Sequence, residues 1–321
     1  MKTAAALLLL VASAGGLAAG ADEQDAGPLD APVTEAAAKL GQRQDPDSLA
    51  AAAVLTSIKD RAGAEQLAAR ASAAGPKRPE LLWLHAQLCT NVPTCDREAL
   101  YAQLHTLDPE NGVTRVFALA EARKADDRAE MDRQLDALAA SKRVDLYWNS
   151  LIAHLADAVA STKTLTTTQS LVTVIGILAA TTIPPFQGTA AVCRGEELQH
   201  EGRRARCQGV ARALQKGDTS IVEMVGVGMA KQLWPENSRE VRAANEARRV
   251  FDYRSSLMGQ ESERLLADEN HARQYLERLG HYRREQDVIV AELVAAGRKP
   301  NPPADWHPAP PADGTPGPAA R

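Results

Sequence analysis

Apolar residues recur along the chain at helical spacing, in runs punctuated by proline and glycine. Asp45-Pro46, Arg78-Pro79 and Asp108-Pro109 each precede an Ala/Leu-rich segment, which places proline at or near a first helical turn, where its missing N–H is not needed. Three such starts predict three repeated helical hairpins. The register agrees: Leu49, Trp83 and Phe117 are spaced by 34 residues, each followed three positions on by alanine (Ala52, Ala86, Ala120), and a second column at Leu67, Tyr101 and Leu135 keeps the same spacing. Bulky residues recurring at one period in both helices are what stacked hairpins require, because one hairpin cannot bury its apolar face alone.

Beyond the hairpins the pattern stays helical. The most apolar interior stretch, Leu171 to Ala180, reads "LVTVIGILAA"; its length suits a buried core helix and falls short of a membrane span. Helical patterning continues through 218–233, 238–258, 262–279 and 282–296, and Gly297 is a natural stop. From Arg298 the chain carries eight prolines in 24 residues. That composition cannot form a packed core and predicts a disordered tail, with Trp306 docked nearby and a P-x-x-P sequence at Pro308 to Pro311.

Trp83, Ala99 sixteen positions on, and the unit-closing "LDPEN" (Leu107 to Asn111) look like the aromatic, small-residue and helix-ending positions of a known repeat. On these residues the chain resembles the tetratricopeptide repeat family over roughly residues 46 to 140. It departs from that family where Ala86-Gln87 and Ala120-Glu121 replace a Leu-Gly pair, where Thr90 replaces a tyrosine, and where the unit ends about two residues early. The resemblance therefore implies a stack of helical hairpins more firmly than it implies the family's peptide-binding groove.

The N-terminus reads Lys2, an apolar run from Ala4 to Ala12, then Ala19-Gly20-Ala21 before Asp22. This is the pattern of a secretory signal peptide over 1–21, and it predicts a soluble mature chain beginning at Asp22 in the periplasm or medium. No cysteine stands near the cleavage point, so a lipoprotein anchor is not expected. In an oxidising compartment disulfides persist. Cys89 and Cys95 flank a turn-like segment at a hairpin corner, and their C-x5-C spacing is neither C-x-x-C nor a zinc knuckle, so they read as a structural clip. On one unbroken helix Cys193 and Cys207 would stand roughly 20 Å apart. A bond between them needs a reversal, for which Gly195 and Gly202 supply places. Four cysteines allow three connectivities, and the two local pairs are favoured because each spans a plausible turn.

Composition adds limits. Hydrophobic content of 45% with only 4% aromatic implies a helical core of Ala, Leu and Val, and a net charge of -4 without a basic block gives no support to nucleic-acid binding. Residues 22–160 carry 22 acids against 15 bases, and 161–321 carry 19 against 21, so the front half is acidic. His200-Glu201 begins like a zinc-protease helix, but Arg204 stands where the second histidine should be. "GVGMAK" (Gly226 to Lys231) reads as close helix packing, and His271 and His281 read as exposed or capping residues. No catalytic residue, metal or cofactor follows. The chain is expected to be all-α, with hairpin repeats over 22–160, a second helical region over 161–297 and the tail from 298 to 321. Its expected role is an exported, non-enzymatic scaffold for a protein or peptide, basic if the acidic half steers it. Polar neighbours of the bulky columns, Gln87, Arg115 and Glu121, would form the readable face. The alternative is a secreted cell-envelope hydrolase whose acid pair assembles only in three dimensions.

Overall fold

Local capping chemistry sets most of the helix starts. The computed structural model describes residues 30–308, so the expected signal peptide and the end of the proline-rich tail, with most of its P-x-x-P sequence, lie outside the described residues. Among the described residues there are fifteen α-helices, one short 3-10 turn and no strand. The first eight helices are α1 (Asp30–Gly41), α2 (Pro46–Thr56), α3 (Arg61–Ala74), α4 (Pro79–Leu88), α5 (Arg97–Leu107), α6 (Val113–Lys124), α7 (Arg128–Ala140) and α8 (Trp148–Ser161). Asp45 caps α2 by accepting the Ser48 N–H at 2.8 Å, with Pro46 beside it. The second helix of each hairpin starts the same way: Asp60, Asp96 and Asp127 accept from Gly63, Ala99 and Glu130 at 2.9, 3.0 and 2.9 Å. Each cap is worth about 1 kcal/mol. The third proline start, at Asp108-Pro109, is corrected, because Asp108 spends its carboxylate on Arg143 (2.7 Å) and the Tyr147 hydroxyl (2.8 Å), and α6 begins only at Val113.

Helices α2 to α5 pack in sequence, each against the next. The order then breaks. Helix α8 returns to pack on α2, with Arg43 donating to the Ser161 hydroxyl at 2.8 Å and His154 3.8 Å from Asp47. Every residue of α2 from Ser48 to Leu55 is buried, as expected of a helix that is apolar all round. Its four consecutive alanines, Ala50 to Ala53, leave room for α1, α3 and α8 to approach together. Helix α4 is likewise buried from Leu81 to Leu88. The first helices of the hairpins therefore do not form one continuous open face, contrary to the expectation from the repeat pattern.

The remaining elements are α9 (Thr167–Thr181), α10 (Phe186–Val192), α11 (Arg203–Leu214), α12 (Ser220–Leu233), α13 (Arg239–Ala267), α14 (Glu269–His281) and α15 (Glu285–Ala295). Helix α11 packs on α7 and α12 on α11, while α14 sits against α8 and α9. Glycine permits the closest approaches: a Cβ at Gly226 would lie 2.7 Å from the Gln215 nitrogen, and one at Gly209 would lie 2.5 Å from the Ala139 Cβ. One continuous apolar core runs from Ala36 to Val288, across the expected boundary at residue 160. Helix α9 buries one face only, at Leu171, Val174 and Leu178, with Val172, Ile175 and Ile177 half-buried. The stretch Thr167–Val192 is long and apolar enough by composition to cross a membrane, yet it docks that face on the core.

Both local disulfides form, Cys89–Cys95 and Cys193–Cys207, with Cα separations of 5.5 and 5.6 Å. From loop length alone they constrain the unfolded chain by about 2 and about 3 kcal/mol. Gly195 (φ +58°) and Gly202 (φ +71°) bracket the reversal between the second pair, in a left-handed conformation that favours glycine. The expectation of disorder from residue 298 is corrected for the described part of the tail. Arg254 donates to the Pro300 carbonyl and Arg249 to that of Pro303, and Trp306 meets Tyr253 edge-on with ring centroids 5.2 Å apart. Long arginines on α13 supply the backbone with partners that a proline-rich strand cannot find in itself.

Candidate functional site

The three residues expected to read a partner are not brought together. Gln87 is 4% exposed, with its amide 3.5 Å from the Tyr101 hydroxyl. It stands four positions after Trp83, on the same helical stripe, so it packs inside the hairpin and cannot read a partner. Glu121 is exposed and paired with Lys124 at 2.7 Å. Arg115 precedes it by six residues, about 120° around α6.

Arg115 instead lines a pocket of about 240 Å³ bordered by the ends of α5 and α7 and the start of α6. Pro109, Ala137 and Ala140 give it apolar walls, and His105, Asn111 and Ser141 are its other polar residues. Asn111 is fully engaged: it donates to the Asp145 carbonyl at 3.0 Å and accepts from the Val113 and Asp145 N–H groups at 3.1 and 2.9 Å. Those bonds hold the 108–112 and 141–147 segments side by side. Among the described residues the Arg115 guanidinium has no hydrogen-bond or ion-pair partner, and His105 Nδ1 is buried without one. Buried polar atoms are almost always paired. A carboxylate entering this pocket would supply acceptors for the Arg115 guanidinium.

A larger hollow of about 540 Å³ lies where α7 meets the start of α11. Two of its arginines are already committed: Arg203, buried, donates to Asp132 and Glu197 at 2.9 and 3.0 Å, and Arg206 donates to Asp136 at 2.9 Å. They tie the two helices together.

The structure also assembles a buried carboxylate pair that only three dimensions could reveal, Asp145 and Asp218, 3% and 1% exposed. Burial, with the neighbouring Asp145 charge, pushes Asp218 up to about 7, although the N–H groups of Leu146 and Trp148 oppose the shift. Those groups donate to it at 2.8 and 2.9 Å. Asp145 receives Arg143 at 2.7 Å and Arg283 at 2.6 Å. Apart from the local Arg143 bond, these contacts hold the start of α8 against the turns before α12 and α15. That is an architectural role, and neither cavity described above borders either carboxylate.

No protein family, curated protein or solved structure matches this chain.

One further cluster could hold a metal. Glu65, His85 and Cys95 bring a carboxylate oxygen, an imidazole nitrogen and a sulfur within 4.8 Å of one another, although that sulfur is here bonded to Cys89. Sequence reasoning missed His105, His85 and Glu65. A signal existed for His85 alone, which precedes Cys89 by four residues, one helical turn on the same face. His105 and Arg115 line one pocket only because the turn between α5 and α6 folds back, and Glu65 comes from a different hairpin.

Proposed function

We propose that the protein is an exported helical scaffold that binds a protein or peptide segment, presenting a pocket for a carboxylate between its second and third hairpins. The N-terminal pattern and the two disulfides support an oxidising destination, the periplasm or medium. The observation that carries the binding reading is the Arg115 guanidinium, which lines this pocket without a hydrogen-bond or ion-pair partner among the described residues. Arginine recognises a planar carboxylate through two parallel N–H donors. The net acidity of the front half, which suggests a basic partner, belongs to the surroundings of this pocket, and the group that enters it is acidic. Fluorescent peptides carrying Asp or Glu, compared with their Asn or Gln counterparts, test the proposal directly. The acidic peptides should bind more tightly, lose affinity with salt, and lose about tenfold or more in Arg115→Ala, the value of one charged hydrogen bond. Equal binding of acid and amide peptides, or affinity unchanged by Arg115→Ala, overturns it. Turnover of peptidoglycan or a generic ester by pure protein would instead support the hydrolase.

A further inference from the structure

We propose that Glu65, His85, Cys89 and Cys95 form a zinc site that becomes available when the Cys89–Cys95 disulfide is reduced, so that metal and disulfide are alternative clips for one hairpin corner. The four side chains come from three places: Glu65 from α3, His85 and Cys89 from the last turn of α4 and its cap, and Cys95 from just before α5. His85 Nε2 lies 3.0 Å from Glu65 Oε1 and 3.8 Å from Cys95 Sγ. In a tetrahedral zinc site, with metal bonds of 2.0–2.3 Å, donor atoms stand about 3.3–3.8 Å apart. Three of the four ligands are therefore within a few tenths of an ångström to about 1 Å of the spacing required. The fourth, Cys89, is held beside Cys95, with 5.5 Å between their Cα atoms.

The ring orientation points the same way. Ser72 Oγ lies 3.0 Å from the Ala69 carbonyl, which can only accept, and 3.2 Å from His85 Nδ1. Both contacts are hydrogen bonds together only when the serine donates to the carbonyl and His85 Nδ1–H donates to the serine. Nδ1 is thereby anchored, and Nε2, which donates to the Glu65 carboxylate at 3.0 Å, is the nitrogen that a metal would take once it displaces that proton. A metal-binding histidine almost always has its other nitrogen anchored in this way. The site is also sheltered, with the His85 and Glu65 side chains only 10% and 15% exposed and Cys89 at 4%. Cys95 is the more open sulfur of the pair and gives a reductant access.

The chemistry balances with a dithiol as reductant. The dithiol supplies two electrons and two protons, its own sulfurs close to a cyclic disulfide, and the protein's S–S bond becomes two thiols. Zinc(II) then displaces the two thiol protons and the His85 Nε2 proton to water and takes both thiolates, the His85 nitrogen and the Glu65 oxygen.

Cobalt(II) is the probe, because thiolate coordination gives it a charge-transfer band and a tetrahedral site gives it intense visible bands. Reduced full-length protein should bind one equivalent with both signals and release it to zinc; the oxidised protein should show neither. The signals should survive Cys193→Ser/Cys207→Ser and vanish in Cys89→Ser/Cys95→Ser. Cobalt affinity should fall about tenfold or more in His85→Ala and in Glu65→Gln, the second keeping the side-chain shape in case the first does not fold. The melting temperature of the reduced protein should rise with added zinc and that of the oxidised protein should not. Absence of the charge-transfer band in reduced, natively helical protein overturns the proposal, as does cobalt affinity unchanged by Glu65→Gln.

Discussion

Asp218 gives the molecule a pH dependence opposite to that of an ordinary salt-bridged protein. Burial pushes its carboxyl up to about 7, helped by Asp145, and burial raises Glu285 in the same direction. A group held above its unfolded value contributes stability that is present at low pH and lost as pH rises towards the folded value. Glu269 runs the other way: despite some burial, hydrogen bonds from Thr166, Thr167 and Thr168 hold it at about 2, so its contribution is complete above about pH 4.5. Between roughly pH 4.5 and 7 the Asp218 and Glu285 contributions therefore dominate. The melting temperature should fall across that window, and Asp218→Asn should flatten the fall without removing the Glu285 share. A slope identical in the variant would show that Asp218 keeps its proton affinity in the unfolded chain.

Among the elements, α12 offers a paired test inside one short sequence. Gly226 touches the backbone of α11, whereas a Cβ at Gly228 would meet nothing within 4 Å. Gly226→Ala should cost about 1–3 kcal/mol through overpacking, and Gly228→Ala should be neutral or stabilise by up to about 1 kcal/mol through helix propensity. Thermal melts of the two variants check this, and an equal effect would mean that α11 and α12 do not approach as closely as described. The reading of "GVGMAK" as close helix packing holds for Gly226 and fails for Gly228. Features with local causes were legible in the sequence: proline in the first turns of α2 and α4, glycine reversals, disulfides across short turns, and the all-helical class. What could not be read depends on which helix lies beside which. The pairing of Asp145 with Asp218, the closeness of Glu65 to His85, and the burial of Gln87 all follow from tertiary neighbours. Periodicity fixed the hairpins, but their 34-residue spacing was silent about α8 turning back to cover α2.

At the scale of the whole molecule that return is the decisive feature. An open stack of repeats has a stability that sums over neighbours, and it frays from its ends. Here the first hairpin is sealed by a helix from the middle of the chain, and one core joins both halves. Hydrogen exchange should therefore give the amides of α2, α4 and α8 a single opening free energy. A lower value for α2 and α4 than for α8 would mean that the stack opens independently. The same closure has a consequence in time. A chain that leaves the ribosome or a translocation pore N-terminus first delivers the alanine-rich helix at Pro46–Thr56 well before its cover at Trp148–Ser161. Contacts between distant segments form late, so the leading hairpins should gain the cover of α8 only once the middle of the chain has arrived.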